Sequence, residues 1–381
     1  MRVCVFSGSR AEFGLLAPLI ECLQNSKTIE LKLLVSGSHL SDYHGYTKTE
    51  ILQRGLKIDF EVPMNLSERD NASDIIKAFS SSIEKYSDAF QKLNPDLLIL
   101  LGDRYEAFAA AQTAMFLQIP IAHIHGGEIT EGLIDEAIRH SITKISHIHF
   151  VAAQEYYDRV IQLGEIAKNV HLVGPLALEN ISKMKFLNTY ELQNLIGLEL
   201  KNFILITFHS ETLNNEKGQI KNLLNALVEF KEFQLIFSGS NADTRSSEII
   251  SDIREFCLLE PENRIYRRSF GSEVYLSLLS RAALVIGNSS SGIIEAPLLG
   301  VPTVNIGMRQ NGRVKSPSIL SCNNNADDIK KTMKHALSKN FKAISAKKIS
   351  PYNIPGAATK ITRIIEESKL DNILLKTFQD V

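Results

Sequence analysis

The sequence predicts an α/β protein of two doubly wound domains, and three observations carry that prediction. Short, continuous apolar runs recur along the chain, as expected of parallel strands covered on both faces. Segments with helical apolar spacing lie between them, which supplies the crossovers that parallel strands need. The pattern restarts after Gly174-Pro175, and 381 residues suit two or three domains.

The first domain reads in order. Arg2–Ser7 is an apolar, β-branched strand that ends in Gly8-Ser9, and a helix follows from about Glu12 to Gln24. Leu31–Ser36 is a second strand. Asp96–Leu101 is a third, closed by Gly102-Asp103 and followed by an alanine-rich helix over Tyr105–Phe116. Pro120–Ile124 ends in Gly126-Gly127, and Ile148–Ala152 and Val170–Val173 complete the set. In the second domain the strands are Phe203–Phe208, Gln234–Ser238, Arg264–Tyr266, Ala283–Ile286 and Thr303–Ile306, each leading into a loop and a helical segment. A charged helix with apolar periodicity runs over about Ala357–Ser368. The expected organisation is an N-terminal domain over 1–174, a C-terminal domain over 175–356, and a tail of about 357–381 packing back on the first, with the ligand cleft between the domains.

Composition removes several function classes. Net charge is −1, so no global basic field draws the chain to nucleic acid or anionic lipid. The longest apolar runs are five residues, Leu97–Leu101 and Ala282–Ile286 among them, against about 20 for a membrane span. Cys4, Cys22, Cys257 and Cys322 form no CxxC, which argues against a disulfide scaffold or zinc ribbon. Unpaired cysteines and an N-terminus without a signal-type apolar stretch point to the cytoplasm.

Polar and glycine-rich residues gather at the carboxyl ends of the strands, where doubly wound sheets bind ligands. Gly8-Ser9-Arg10-Ala11-Glu12 joins the first strand to its helix. It lacks G-x-G-x-x-G, and no GxxxxGK[ST] occurs, so a standard dinucleotide or P-loop site is disfavoured. Arg10 there adds a fork of donors to a helix N-terminus, against the simpler reading of a surface arginine in a turn. Gly287-Asn288-Ser289-Ser290-Ser291-Gly292 opens a helix containing Glu295. Its backbone N–H groups and hydroxyls suit a phosphate, with Glu295 placed for ribose hydroxyls; the plain alternative is a serine-rich turn that only caps the helix. His209, Gly239-Ser240-Asn241-Ala242-Asp243, Arg309 and Arg313 also follow strands and suit diphosphate, base or ribose contacts. The N-terminal half carries the titratable groups: Gly102-Asp103-Arg104, His123-Ile124-His125-Gly126-Gly127-Glu128, and Asp135, Glu136, Arg139 and His140 on one helical stretch. His123 and His125 have strand spacing, which puts both rings on one side, and Asp135 and Arg139 share a helix face. A metal site and a structural ion-pair network are both readings of this group. General acid–base work is favoured, because it needs paired titratable groups. His147 and His149 read as structural residues flanking a strand.

Taken in order, these motifs, with His209-Ser210-Glu211-Thr212 and Arg309-Gln310-Asn311-Gly312-Arg313, resemble the hydrolysing UDP-N-acetylglucosamine 2-epimerases, in particular the bacterial branch that feeds sialic acid and surface polysaccharide synthesis. The resemblance spans nearly the whole chain. It implies two Rossmann-like domains in a glycosyltransferase-B-like arrangement, a homodimer or tetramer, and no cofactor or metal. It also implies the reaction of UDP-GlcNAc with water to ManNAc and UDP, by anti elimination to a glycal and hydration with inversion at C2.

Carried over by position, Arg10, His209, Ser289, Ser290, Glu295 and Arg309 match the family's UDP-binding positions. Ala11, Arg104, Asn241, Asp243, Gly292 and Arg313 adjoin them as substrate-binding candidates. Asp103 resembles the active-site aspartate, and Asp135 and Arg139 its helix acid and arginine. His125 stands where several members have Glu, so the general base is His125 or Glu128. Ser210 replaces a frequent Pro. A sister reaction on UDP-2,4-diacetamido-2,4,6-trideoxyglucose uses the same chemistry with different surroundings at C4 and C6.

Overall fold

Two all-parallel sheets organise the chain. The structure is a computed structural model and describes residues 1–43, 45–66, 71–131, 133–211, 218–239 and 246–380. The residues divide into two units. One comprises Met1–Glu128, Ile134–Asn180 and Ile354–Val381; the other comprises Ile129–Leu133 and Ile181–Asn353. The division falls after Asn180 rather than at Gly174-Pro175, and the short segment Ile129–Leu133 groups with the second unit.

In the first unit β1 (Arg2–Ser7), β2 (Glu30–Ser36), β3 (Phe60–Val62), β4 (Leu97–Leu101), β5 (Ile121–Ile124), β6 (Ile148–Val151) and β7 (Val170–Leu172) stand in the order β3-β2-β1-β4-β5-β6-β7. The order reverses between β1 and β4, and that switch point opens a crevice beyond the strands' carboxyl ends. The helices are α1 (Arg10–Gln24), α2 (Lys48–Gln53), α3 (Ala72–Leu93), α4 (Tyr105–Phe116), α5 (Asp135–Ile145) and α6 (Gln154–Gln162). Alternate residues of a strand enter opposite cores: Val3, Val5, Leu97 and Ile99 join α1 on one face, while Cys4, Phe6, Leu98 and Leu100 join α3 and α4 on the other. Burial of both faces explains why these strands read as unbroken apolar runs. The helix Ala357–Glu367 adds Ala357, Ala358, Ile361 and Ile365 to the α1 core.

The second unit repeats the plan with β8 (Phe203–Thr207), β9 (Gln234–Ser238), β10 (Arg264–Arg267), β11 (Leu284–Gly287), β12 (Thr303–Ile306) and β13 (Ile319–Cys322), ordered β10-β9-β8-β11-β12-β13. Its switch point lies between β8 and β11. Ile204 and Ile206 face one core and Phe203 and Leu205 the other.

β3, β13 and α3 are among the elements not apparent in the sequence. β3 has only three residues and β13 is a partly exposed edge strand, so neither makes a strong apolar run. The 22-residue α3 buries one face, with Ala78, Tyr86, Ala89 and Phe90, and leaves the rest largely polar; it begins at Asn71, whose side chain accepts from the Asp74 N–H, and stops at Asn94 with φ +44°. Among the described residues no helix is long and apolar enough to cross a membrane.

Histidines sit deep in these sheets. His123 on β5 and His149 on β6 are register partners and essentially buried. Burial pushes His123 down to about 3, His39 and His147 to about 4, and lowers His149 and His209 as well. The unfolded chain takes up these protons as pH falls below 6.5, while the native state stays neutral until far lower. The unfolded state therefore binds more protons in that window, and stability is lost on acidification. Thermal midpoints should fall between pH 7 and pH 5, and His123→Gln should flatten the fall; a constant midpoint over that range would contradict neutral burial.

Candidate functional site

The first cluster lies at the β1/β4 switch point. α1 opens at Ser9, whose hydroxyl accepts from the Glu12 N–H at 3.3 Å. Glu12 folds back, and its Oε2 accepts from the Gly8 N–H at 2.7 Å. Among the described residues its Oε1 is buried without a partner. Burial and then the neighbouring Glu106 carboxylate raise Glu12 to about 7. Arg104 forks onto the fully buried Glu106, Nε to Oε2 and Nη2 to Oε1, both at 3.2 Å. Arg10 forks in the same way onto Glu50 of α2, at 2.9 and 2.8 Å. Each of these arginines thus has a carboxylate from its own unit. Ala11 is exposed on the first turn of α1.

The second cluster lies at the ends of β4 and β5. Gly102 takes φ +75°, and its N–H donates to the Ile124 carbonyl at 2.9 Å. The Gly102 carbonyl faces His123 Nε2 at 2.7 Å. A carbonyl only accepts, so this nitrogen carries the proton and Nδ1 presents a lone pair to Thr143 Oγ1 at 3.2 Å. His123 is therefore the hook that fixes the turn before Asp103. The expectation that His123 and His125 face one side does not hold as a strand argument. β5 ends at Ile124, and His125 turns to φ +67°, so the two-residue alternation stops before it. A non-glycine residue in that region is uncommon and costs energy. Gly127 follows at φ +77°, where a Cβ would overlap the Tyr156 carbonyl. This bent backbone brings His125 Nδ1 to 2.8 Å from Glu128 Oε1 and leaves the buried Nε2 without a partner among the described residues.

Arg139 of α5 joins these segments. It is 1% exposed and pairs with Asp103 Oδ2, with Glu136 Oε2 at 2.9 Å, and with the Glu128 carbonyl at 3.0 Å. Glu136 also meets His140 Nε2 at 3.0 Å. Asp135 is the half-buried first residue of α5. Glu136, read among the titratable groups of this helical stretch, is a partner of Arg139, and Glu12 and Glu106 join the site without having been singled out. The spacing of Glu136 three residues before Arg139 was a signal for it, whereas nothing local marks Glu12 or Glu106. Among the described residues no group of His, Cys, Asp and Glu is arranged to hold a metal ion.

The second unit carries its own polar crevice, at the β8/β11 switch point. Gly287 takes φ +140°, and a Cβ there would overlap the Thr207 carbonyl of β8, so only glycine lets the strands approach this closely. Asn288, fully buried, accepts from the His209 N–H at 2.7 Å and donates to the His209 carbonyl at 2.8 Å. Its own carbonyl accepts from Arg309 Nη1 at 3.2 Å and Gln310 Nε2 at 2.9 Å. Glu211 Oε1 accepts from the Met308 and Arg309 N–H groups at 2.9 and 3.3 Å. Burial, with the Arg309 charge, holds the His209 imidazole well below its usual range. It is a neutral ring, so its contribution to an anion is a hydrogen bond and not a charge. Ser289 and Ser290 lead into the helix Ser291–Leu299, which contains Gly292 and Glu295, and Tyr275 Oη donates to Ser291 Oγ at 3.0 Å. Arg313 lies on the loop after β12, beside Gly312 at φ +80°. Asn241 and Asp243 lie outside the described residues.

Glu12 gives the first cluster a pH signature. Between about 4.5 and 7 the unfolded chain has released this proton and the native state keeps it, so native stability falls as pH rises through that window. Glu12→Gln keeps an acceptor for the Gly8 N–H without the charge. It should melt above wild type at pH 8, with the gap shrinking toward pH 5; equal melting at pH 8 would show that burial does not raise Glu12.

The arrangement matches known proteins along its full length. A family described as UDP-N-acetylglucosamine 2-epimerase matches residues 21–366. The chain is 38% identical over 384 residues to a Campylobacter jejuni protein named GDP/UDP-N,N'-diacetylbacillosamine 2-epimerase (hydrolyzing), covering 100% of this chain and 99% of that one. It is 37% identical to the Escherichia coli polysialic acid biosynthesis protein P7, over 100% and 97%. The fold matches a crystal structure of a Neisseria meningitidis UDP-GlcNAc 2-epimerase bound to UDP-GlcNAc, with TM-score 0.82, 18% identity, and coverage of 97% and 100%. Two Rossmann-like units, each with polar groups at its switch point, and these matches together place the chain in the UDP-N-acetylglucosamine 2-epimerase family, its hydrolysing enzymes included.

Proposed function

We propose that this protein is a hydrolysing 2-epimerase of a UDP-2-acetamido sugar, converting UDP-GlcNAc and water to ManNAc and UDP for sialic acid or surface polysaccharide synthesis. The observation that carries the reading is the cluster beyond β4 and β5, where Asp103 and the His125–Glu128 pair stand on backbone fixed by buried contacts. Inverting a sugar carbon needs one group to take a proton from one face of C2 and another to return one to the opposite face.

In the first step the bond from C1 to the diphosphate oxygen breaks, and its electron pair leaves with UDP. Positive charge developing at C1 acidifies C2–H, a base removes that proton, and the glycal forms. Water then adds its hydroxyl to C1 while an acid protonates C2 from the other side; the proton released by the water restores that acid, and the base gives up the proton it took from C2 to solvent. His125, oriented through Nδ1 by Glu128, and Asp103, held by Arg139, are the pair that exchange protons with C2. Asp135 and Arg139 orient the sugar. In the second unit Ser289, Ser290, Gly292, Arg309, Arg313 and the neutral His209 take the diphosphate, which stabilises the leaving group, and Glu295 takes the ribose. Arg10 and Arg104, each held by its carboxylate partner, are substrate-binding candidates of the first unit.

A second reading, in which the substrate is UDP-2,4-diacetamido-2,4,6-trideoxyglucose, is favoured by the 38% identity to the Campylobacter protein. The two differ only at C4 and C6. Turnover on both substrates, followed by UDP release and by NMR of the sugar in D2O, tests the proposal. The expected result is free 2-epimer carrying deuterium at C2, with the preferred substrate set by the higher kcat/KM. Release of UDP from neither substrate overturns the reaction, and UDP-ManNAc as the lasting product would make the enzyme non-hydrolysing.

Asp103→Asn should lower kcat roughly 10²-fold, the usual scale for a proton-transfer group. His125→Gln, which keeps the size but cannot titrate, should do the same. Wild-type turnover in either variant would remove that residue from the acid–base pair.

A further inference from the structure

The segment that follows the helix Ala357–Glu367 is held in place by charge. Lys376 Nζ donates to the carbonyls of Lys144 and Ser146, both at 2.7 Å, and pairs with Glu165 Oε2 at 2.6 Å. Glu165 is 2% exposed and also accepts from Lys144 Nζ at 2.7 Å and His149 Nε2 at 3.0 Å. Two residues on, the Phe378 ring covers Gly164, where a Cβ would overlap it, and Lys144 Nζ lies 5.0 Å from the centre of the same ring. The Gln379 N–H donates to the Gly164 carbonyl at 3.0 Å. These contacts all belong to the first unit.

Their target is informative. Lys144 is in the last turn of α5 and Ser146 is its C-cap. Carbonyls at a helix C-terminus lack intrahelical donors, and a cation is favoured there. Lys376 supplies both donors and charge. The same helix carries Arg139, about 7.5 Å nearer its start at the usual rise per residue, and Thr143, which meets His123, the hook on the Gly102 carbonyl. A helix is stiff along its axis, so anchoring its last turn sets how far Arg139 reaches toward Asp103.

We propose that Lys376 is a positioning residue for the reaction: by capping α5 it sets the placement of Arg139 against Asp103. The proposal rests on the function given above for its kinetic readout, and on nothing but the fold for its structural one.

The test compares Lys376→Met and Lys376→Arg with wild type. Lys376→Met should lower kcat about tenfold, the scale of a small misplacement of reacting groups, and leave the Kd for UDP within about twofold, because the second unit binds the nucleotide. Lys376→Arg, which keeps charge and donors, should retain most of kcat. In an Arg139→Lys background, Lys376→Met should cost nothing further, since the two act in series. A wild-type kcat in Lys376→Met, or a full tenfold loss repeated in the Arg139→Lys background, overturns the proposal. Should Lys376→Met fail to fold, Phe378→Ala decides, because Phe378 is largely exposed and its removal loosens the same anchor; it should lower kcat about threefold on the same argument, and an unchanged kcat overturns the proposal. Amide hydrogen exchange over 101–106 and 135–145 reads the anchor independently of substrate. It should speed up in Lys376→Met or Phe378→Ala, and unchanged exchange overturns the proposal even if no UDP-sugar is turned over. Loss of the reaction in wild type would instead overturn the function and leave the exchange result standing.

Discussion

A guanidinium that is 1% exposed must find partners for its charge inside the protein, and Arg139 finds them in three separate segments. Asp103 comes from the end of β4, the Glu128 carbonyl from the turn after β5, and Glu136 from its own helix. Removing any one would leave a buried charge short of a partner, so the arginine fixes the distances among these segments as well as their charges. The bent backbone at His125 is tolerable in this setting. Its left-handed conformation is held from one side by the His125 N–H bond to the Phe150 carbonyl and from the other by the Glu128 contact.

The second unit solves a related problem with a neutral group. Asn288 uses both ends of its amide on the His209 backbone and its own carbonyl on Arg309 and Gln310. Two strand ends and the loop after β12 are thereby tied to one buried residue. The His209 backbone and Gln310 are held there by neutral hydrogen bonds, which cost little to bury once satisfied, and the Arg309 guanidinium adds a charged donor to the same carbonyl. In the first unit two arginines instead each take a single carboxylate, Arg10 with Glu50 and Arg104 with Glu106.

Much of the architecture was legible because parallel strands buried on both faces cannot hide their hydrophobicity. Leu97–Leu101 and Phe203–Thr207 are both strands and both buried throughout. Elements that lack this double burial were not legible: β3 is too short, β13 is an edge, and α3 has polar residues on much of its surface. Among the site residues, those next to glycine at strand ends could be read from the chain, since Gly102, Gly127 and Gly287 mark turns that only glycine makes easily. Glu12, Glu106 and Glu50 could not, because an acidic residue in a helix looks like any solvated one until its arginine is seen.

By itself, the sequence determined the alternation of strands and helices, the two-unit plan, and the positions of the reactive groups at strand ends, because these follow from local periodicity and turn chemistry. The tertiary structure decided the roles of those groups. It made His123 a neutral hook and not a partner of His125, and it turned His125 out of the strand toward Glu128. It also gave Arg139 its partner Asp103 and brought Lys376 to the end of α5. Each of these depends on which residues burial brings together and on the need of every buried charge for a partner, and neither is written in the spacing of a single chain.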